Sequence, residues 1–435
     1  MCYRCWSGYC PQKATNTVIS WTRLQRTLPL QANADSWEPF YVNYRDHCQQ
    51  GCQRSTMAII ANSALLGILL ILAAAPHLVQ SVELSGMSGA GSLRRNRGRP
   101  HHYALFTEKA PCAIIERRYV SSPLEQTWFQ AATKWKENGN GDLKDIGPYC
   151  TLLTETKGEI QRMLALIDAL MNSTTSLSDA PDADAVLSYF ETIMQCGPYR
   201  FTQKEHIESL VAALRHPFSI KCPEETFNQL PPLTNIFDKS YVLLASWSGP
   251  VQATKNKYYL DAGAGIGYRA NANQHWMLET YEARGIKMDR ALYWEAQPAS
   301  GPSLLDGVPA NMFPAFAFYN IPAPEELTDG RNPLHVVTKI AKPGDFVSIK
   351  LDIDQPGIED AWLRAILGSH STAAGISKSI YAQLIDELFW EHHFNFMPMR
   401  SCCWQGLVDA NSHLVDSMKL FIELRELGIR SHYWQ

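Results

Sequence analysis

Three alternating glycines follow an apolar segment in the middle of the chain. Residues 258–267 read Tyr-Tyr-Leu-Asp-Ala-Gly-Ala-Gly-Ile-Gly, which puts Gly263, Gly265 and Gly267 directly after a strand candidate. Glycine lets the backbone turn sharply and approach a ligand closely, and the N–H groups that open the next helix can face that ligand. The spacing differs from the G-x-G-x-x-G fingerprint of dinucleotide sites, because Tyr268 stands where its third glycine would be. A tight surface turn without a ligand is the alternative interpretation.

The next two strand candidates each end in a polar residue. Residues 290–295 end in Glu295, and residues 316–320 end in Asn320, with a helix candidate at 273–285 after the glycines. In a doubly wound sheet, an acid at the tip of the second strand can accept both hydrogen bonds of a ribose diol, and an amide suits an adenine edge. A nucleotide-type site is therefore predicted, with these candidate cofactor-binding residues: Asp261, Gly263, Gly265, Gly267, Glu295 and Asn320.

A fourth strand candidate, residues 345–354, alternates apolar residues with Ser348, Lys350, Asp352 and Asp354. Central parallel strands are normally apolar on both faces, and burial of an ion costs several kcal/mol unless the ion is paired. The charged row therefore indicates a cleft, a partner ion or a function, and an edge strand with one solvated face is the alternative.

A fifth strand candidate, residues 384–393, ends in Glu391, His392 and His393. If the fourth and fifth strands are neighbours, their polar ends form a second site. The predicted catalytic residues are Lys350, Asp352, Asp354, Glu391 and His392. Proton acceptance would fall to Lys350, His392 or His393. In the alternative, Asp352 and Asp354, with Glu391 or a histidine, hold a divalent ion.

Residues 349–359, Ile-Lys-Leu-Asp-Ile-Asp-Gln-Pro-Gly-Ile-Glu, resemble the Lys-x-Asp-x-Glu-Gly-x-Glu segment of FkbM-type methyltransferases. The D-x-G-x-G-x-G turn likewise resembles the first motif of class I S-adenosylmethionine-dependent methyltransferases. The resemblance covers about residues 240–435. It implies a doubly wound, mostly parallel, seven-stranded methyltransferase-like sheet with S-adenosylmethionine as cofactor. The chain departs from the family pattern at Gln355-Pro356, which precede the glycine.

Composition excludes some partners. The chain has 435 residues, 46% of them hydrophobic, and a formal net charge of −4, so no basic bias toward nucleic acid is present. The one strong charge cluster, Arg94, Arg95, Arg97 and Arg99, is interpreted as a solvated linker, with contact to anionic lipid or glycan as the alternative.

An uncharged apolar run at 57–75 is long enough to cross a bilayer, and it can also be read as a signal sequence that starts at Met57. Residues 1–56 are then a short tail or lie before the true start, and residues 76–102 form a basic linker. Six cysteines follow the run, and Asn172-Ser-Thr is an N-glycosylation sequon. Together these signals predict a single-pass membrane protein of the secretory pathway, facing the lumen of the endoplasmic reticulum or Golgi, or a secreted protein.

Residues 103–240 are predicted to form a helical cap over the substrate end of a methyltransferase-like domain at 241–435. Apolar residues recur at helical spacing at 157–171, 183–194 and 204–214, and a C-terminal helix at 413–427 precedes a last strand at 429–434.

Two functions follow. The first is methyl transfer to an oxygen of a small-molecule or glycan acceptor. The second is a catalytically inactive methyltransferase-fold binding protein, anchored to a membrane, that recognises a sugar or another protein. The intact glycine turn and Glu295 favour the enzyme, and the altered Gln355-Pro356 segment favours the binding protein.

Overall fold

The structure, a computed structural model, describes residues 113–172, 182–215, 222, 238–245, 254–265, 267–268, 272–298, 305, 307–368, 378–402, 404 and 407–434. The predicted tail at 1–56, the apolar run at 57–75 and the basic linker at 76–102 lie outside these residues.

The N-terminal part of the described chain combines helices with a small antiparallel sheet. In chain order it contains β1 (Ala113–Val120), α1 (Pro123–Glu137), α2 (Gly147–Glu155), α3 (Lys157–Asn172), α4 (Ala183–Val186), β2 (Leu187–Cys196), β3 (Tyr199–Glu208) and α5 (Ala212–Arg215). The three strands pair antiparallel in the order β1-β2-β3. Helix α1 begins at a capped turn, where Ser122 Oγ accepts the Glu125 N–H and Pro123 occupies the first helical turn.

The predicted helix at 157–171 is confirmed as α3, but the predictions of helices at 183–194 and 204–214 are wrong. Those residues form mainly β2 and β3, joined by a tight turn at Gly197 and Pro198. The strand content is understandable, because Tyr189, Phe190 and Ile193 are aromatic or β-branched and suit a pleated surface. The apolar residues in these short segments fit the period of a helix as well as that of a strand. Hydrogen bonding between the two segments stabilises the strands.

The larger sheet has six parallel strands. They are β4 (Lys257–Ala262), β5 (Arg290–Trp294), β6 (Phe316–Tyr319), β7 (Phe346–Leu351), β8 (Glu387–Trp390) and β9 (Arg430–Tyr433). Their order is β6-β5-β4-β7-β8-β9, and every neighbouring pair is parallel. The predicted α/β class with a mostly parallel sheet is confirmed. Seven strands were expected, and the described residues supply six to this sheet.

The strand order reverses direction between β4 and β7, which are neighbours in the sheet. Ligands of open α/β sheets bind outside the carboxyl ends of the strands at such a switch point, because the loops that follow the two strands part there and leave a crevice. The glycine turn follows β4, and the charged row continues from β7. Both sequence signals therefore lie at the carboxyl edge of the sheet, on either side of this crevice.

Six helices connect or flank these strands. They are α6 (Ala272–Ala283), α7 (Pro333–Ile340), α8 (Pro356–Leu367), α9 (Ile380–Leu384), α10 (Met397–Cys402) and α11 (Leu414–Glu426). Their ends follow ordinary capping chemistry: Asn332 accepts from Leu334 N and His335 N at the start of α7, and Ser379 Oγ accepts from Ala382 N at the start of α9.

Residues 238–245 lie across β8 and β9, with a turn near their start in which the Val242 N–H donates to the Lys239 carbonyl at 2.9 Å. The Ala245 N–H donates to Glu387 Oε1 at 2.9 Å, and Arg430 Nη2 donates to the Leu243 carbonyl at 2.6 Å. Near the other end of the segment, Tyr241 Oη donates to the Tyr433 carbonyl at 3.3 Å. The segment therefore runs against the strand direction and carries Lys239 toward the carboxyl edge.

A buried ionic network joins the N-terminal part to the sheet. Arg425 of α11 lies 3.2 Å from Glu125 of α1 and 3.3 Å from Glu208 of β3. The His432 ring lies between Glu208, at 2.7 Å, and Glu387, at 2.9 Å. Helix α1 also packs on α11. The N-terminal part is thus held against the β8–β9 side of the sheet.

Two observations bear on the export signals. Cys150 and Cys222, two of the six cysteines that follow the apolar run, form a disulfide. Asn172 is exposed at the end of α3. No helix within the described ranges is both long and apolar enough to cross a membrane.

Candidate functional site

The turn after β4 requires glycine. Gly263 has φ +90°, and a Cβ there would lie 1.5 Å from the Asp352 carbonyl oxygen, so no side chain fits. Gly265 and Gly267 also have positive φ, +70° and +89°. The N–H groups of Gly263 and Ala264 both donate to the Trp294 carbonyl, at 3.1 and 3.0 Å. These bonds tie the turn to the end of β5.

Glu295 follows β5 directly and touches the same turn. It is 8% exposed, and its Oε2 accepts the Gly265 N–H at 2.6 Å while Oε1 accepts the Gln297 N–H at 2.6 Å. Each carboxylate oxygen has a second lone pair, so both could still accept a hydroxyl of a diol. The carboxylate is held in place by backbone groups on both sides.

Asn320 braces the loop that carries Glu295. Its side-chain nitrogen donates to the Glu295 carbonyl at 2.8 Å and to the Gln297 carbonyl at 2.7 Å. Its observed contacts therefore position the acid.

Lys350 is completely buried at the end of β7, where its ammonium group has three partners. Nζ lies 3.1 Å from Asp261 Oδ1 and 3.0 Å from Asp352 Oδ2, and it donates to the Gly263 carbonyl at 3.0 Å. An ammonium group has three donors, so all are engaged. Burial disfavours the charged form, but the two carboxylates outweigh burial and raise the pKa of Lys350. The role of Lys350 as a proton acceptor stays a prediction, and its observed contacts support the glycine turn.

Glu391 and Asp352 share a hydrogen bond at the ends of β8 and β7. Burial, reinforced by the neighbouring negative charge, raises the pKa of Glu391, whereas the charge of Lys350 overcomes burial and lowers the pKa of Asp352. Glu391 is oriented from the other side by Trp404, whose Nε1 donates to Oε1 at 3.0 Å.

His393 is 1% exposed and lies among three carboxylates. Its Nε2 is 3.6 Å from Asp354 Oδ1 and 3.9 Å from Glu391 Oε2, and its Nδ1 is 3.6 Å from Glu359 Oε2. Among the described residues, neither ring nitrogen has a hydrogen-bond partner. The Trp404 ring packs edge-on against the imidazole, with 4.8 Å between ring centroids. His393 thus projects toward Asp354 and Glu391 without bonding to either.

His392, the histidine chosen from the sequence, is directed elsewhere. Its ring stacks on Trp390 at 4.2 Å, and its Nδ1 lies 2.9 Å from Ser417 Oγ of α11. Successive side chains of an extended segment point in opposite directions, so only one of two adjacent histidines can face the charged cluster. The structure brings Lys350, Asp352, Asp354 and Glu391 to one edge together with His393, and it turns His392 toward α11.

Lys239 is a further buried amine at this edge, and nothing in the sequence pointed to it. It is 3% exposed, with Nζ 4.7 Å from the centroid of the Trp434 ring, while Lys350 Nζ lies 5.9 Å from the same centroid. Burial lowers the pKa of Lys239 to about 7, helped by the charge of Lys350 and opposed by Asp352 and Glu391. An amine with such a pKa can accept a proton near neutral pH.

Glu359 is the last residue of the methyltransferase-like segment 349–359, and it was not among the predicted site residues. It is 1% exposed on the first turn of α8, where Oε1 accepts the Ile353 N–H at 3.1 Å and Oε2 accepts Trp390 Nε1 at 3.3 Å. Its spacing of six residues from Ile353 spans the turn between β7 and α8. A sequence reading that placed this acid at a helix start could have found it.

Searches of known protein families, of curated proteins and of solved structures found nothing that matches this chain. The function is therefore inferred from the residues at the carboxyl edge of the six-stranded sheet.

Proposed function

We propose that this protein transfers a methyl group from S-adenosylmethionine to an oxygen of an acceptor, for which a glycan of the secretory pathway is one candidate. Membership in the FkbM-type methyltransferases is part of the proposal. The observation that carries it is the contact between Glu295 and the Gly265 N–H, at 2.6 Å, beside the switch point of the sheet. An acid at the end of one strand and a glycine turn at the end of the next make a seat for a nucleoside.

The glycine spacing favours a nucleoside with a small charged tail over a dinucleotide. Asp261 and Lys350 already neutralise each other beneath the turn, with 3.1 Å between their charged atoms. The turn lacks the third glycine of the dinucleotide fingerprint, since Tyr268 occupies that position and is buried. Apart from Lys239, the residues of the proposed site lie on β4, β5, β7, β8 or the loops that follow them, so the site does not require a seventh strand.

The acceptor would sit against the ends of β7 and β8. Attack on a methyl sulfonium requires in-line positioning and removal of the acceptor's proton. Lys239 is the candidate base, because it is a buried amine at this edge with its pKa lowered to about 7. Asp352 and Glu391, which lie together at this edge, would contact the acceptor hydroxyl.

The test is calorimetric titration of the full chain with S-adenosylmethionine. Glu295→Gln should weaken binding by roughly 1.5–3 kcal/mol, the value of a hydrogen bond to a charged group. Gly265→Val should abolish binding, because its φ of +70° and its closeness to the ligand exclude a β-branched side chain. Glu279→Gln, an exposed change on α6, serves as the control and should bind normally.

Unchanged affinity in both site variants would refute the cofactor assignment, and preferential binding of a nicotinamide dinucleotide would replace it with a different reaction. Release of S-adenosylhomocysteine on addition of glycans from the native host would establish transfer. If the protein binds S-adenosylmethionine but releases no S-adenosylhomocysteine with any of these glycans, the result would instead support the inactive binding protein.

A further inference from the structure

The ends of β7 and β8 bring together one imidazole and two carboxylates that no hydrogen bond joins. The ligand-type atoms of Asp354, Glu391 and His393 all lie within 4.8 Å of one another. We propose that these three side chains bind a divalent transition-metal ion such as Mn²⁺ or Zn²⁺.

The spacing fits a shared ion better than direct contact. His393 Nε2 is 3.6 Å from Asp354 and 3.9 Å from Glu391, too far for hydrogen bonds. Ligand atoms about 2.0–2.2 Å from one ion lie about 3–3.6 Å apart, close to these values. A charged imidazole paired directly with carboxylates would instead draw in to about 2.7–2.9 Å.

His393 supplies an independent sign that an atom belongs between the groups. It is 1% exposed, yet neither ring nitrogen finds a hydrogen-bond partner in the part of the chain that the structure describes. An unpaired buried polar group costs about 1–3 kcal/mol, so native structures rarely leave one. A metal ion on Nε2 would satisfy the nitrogen that faces Asp354 and Glu391.

The surroundings orient each ligand as metal sites usually do. Glu359 Oε2 lies 3.6 Å from the other ring nitrogen of His393, on the side where a metal-bound imidazole usually has a carboxylate neighbour. Trp404 Nε1 holds the second oxygen of Glu391 at 3.0 Å. The neighbours of both ligands therefore leave one face of each directed to the common centre.

Asp354 has a left-handed backbone conformation, which is uncommon for residues other than glycine. Its φ is +55°, a left-handed value that residues other than glycine adopt at a cost and that clusters at functional sites. Its side chain is 52% exposed, whereas that of His393 is 1% exposed. The cluster is thus open to solvent on the Asp354 side, which gives an ion and an acceptor a path in.

The ligand set decides the kind of ion and its role. One imidazole with two carboxylates suits Mn²⁺, Fe²⁺ or Zn²⁺ better than Mg²⁺ or Ca²⁺, which prefer oxygen ligands throughout. Three protein ligands leave positions for other oxygens, as in catalytic metal sites. If the proposed methyl transfer is correct, the acceptor is a hydroxyl compound whose oxygen binds the ion and is thereby made more acidic.

The metal site is tested without any methyl acceptor. The full chain is treated with chelator, dialysed and titrated with Mn²⁺, with the free ion followed by electron paramagnetic resonance, and then with Zn²⁺ by calorimetry. We expect one ion per chain and at least about tenfold weaker binding in Asp354→Asn and His393→Gln. Asp360→Asn on α8 removes the same charge six residues away and should bind as the unaltered protein does.

Equal affinity in Asp354→Asn and the unaltered protein would overturn the site, and that half-exposed position gives an answer even if His393→Gln does not fold. Cofactor titrations on the same samples separate the two proposals. Metal binding without S-adenosylmethionine binding would support the metal site and reject methyl transfer. S-adenosylmethionine binding without metal binding would reject the metal site and leave the methyl-transfer proposal standing.

Discussion

Gly263 and Asp352 are in such close contact that the carbonyl oxygen of Asp352 occupies the space of a Cβ on Gly263, 1.5 Å from its ideal position. The Asp352 N–H also donates to the Ala262 carbonyl at 2.9 Å. The turn after β4 and the end of β7 are therefore one unit, so the proposed cofactor site and the charged cluster are in direct contact. A displacement of either loop must move the other.

Gly263→Ala should destabilise the protein far more than a change of backbone conformation alone explains. Positive φ costs an L-residue about 1 kcal/mol, and the collision with backbone adds strain that no rotamer can relieve. Gly344→Ala is the matched control, because Gly344 has φ +92° with nothing within 4 Å of its Cβ position. Urea unfolding should give a loss of at least about 3 kcal/mol at Gly263 and roughly 1 kcal/mol at Gly344. Equal losses would mean that the turn can move away from Asp352.

If the proposed methyl transfer is correct, Lys239→Gln should lower turnover while leaving cofactor affinity unchanged, because Lys239 is its proposed general base. Loss of a general base typically reduces kcat by about 10²–10⁴-fold. Lys342→Gln, an exposed change, is the control and should leave kcat unaltered. Steady-state kinetics and S-adenosylmethionine titration of the same samples distinguish the roles. A parallel fall in cofactor affinity would assign Lys239 to the cofactor seat, and unaltered kcat would remove it from the mechanism.

The parts of this site that the sequence predicted are those that lie within two or three residues of a strand end. Gly263, Glu295 and Asp352 follow this rule, since the position of a strand fixes which edge its last side chains reach. Lys239 is different, because it reaches the site from a turn in a part of the chain with no periodic signal. His392 and His393 could not be told apart, because a one-residue change in where β8 ends exchanges the faces of both.

The N-terminal part was harder to predict for a related reason. β2 is stabilised by pairing with β1 on one side and β3 on the other, and no local pattern records a partner. The ionic network on β9 and α11 is equally invisible, because Arg425, Glu125 and Glu208 are far apart in the chain and meet only when it folds.

His432 should make stability depend on pH. Burial disfavours its charged form, but the flanking Glu208 and Glu387 carboxylates outweigh burial and raise the pKa of His432. Both carboxylates have lowered pKa values, because the charge and hydrogen bonds of His432 outweigh their own burial. The histidine therefore stabilises the fold fully below its unfolded pKa of about 6.5 and loses this contribution as pH rises through the higher folded pKa. The carboxylates stabilise above their unfolded pKa of about 4.3 and lose their contribution as pH falls through the lower folded values.

The free energy of unfolding should accordingly be greatest between about pH 4.3 and 6.5 as far as this network contributes, and it should decline on the alkaline side. His432→Gln should reduce the alkaline decline and lower stability at pH 6 by about 3 kcal/mol, because two buried carboxylates lose one of their cationic partners. His335→Gln, on α7 and outside the network, is the control. Urea unfolding at intervals from pH 5 to 9 measures both. An alkaline slope as steep in His432→Gln as in the unaltered protein would show that other groups cause it.

The disulfide between Cys150 and Cys222 gives the prediction of export its sharpest test. The two cysteines are 72 residues apart, and closing a loop of this length in the unfolded chain contributes roughly 4 kcal/mol of stability in the chain-entropy picture. Such bonds persist in oxidising compartments and are rare in the cytosol. Asn172, exposed at the end of α3, begins a sequon that only the secretory pathway would modify.

Non-reducing peptide mapping of protein from the native host should recover the Cys150–Cys222 pair, and a glycosidase should shift the peptide that contains Asn172. The Cys150→Ser, Cys222→Ser double variant should unfold at lower urea concentration, while Asn172→Gln should lose the glycosidase shift alone. Free thiols at both cysteines together with an unmodified Asn172 would place the folded domain in a reducing compartment and remove the basis for a glycan acceptor.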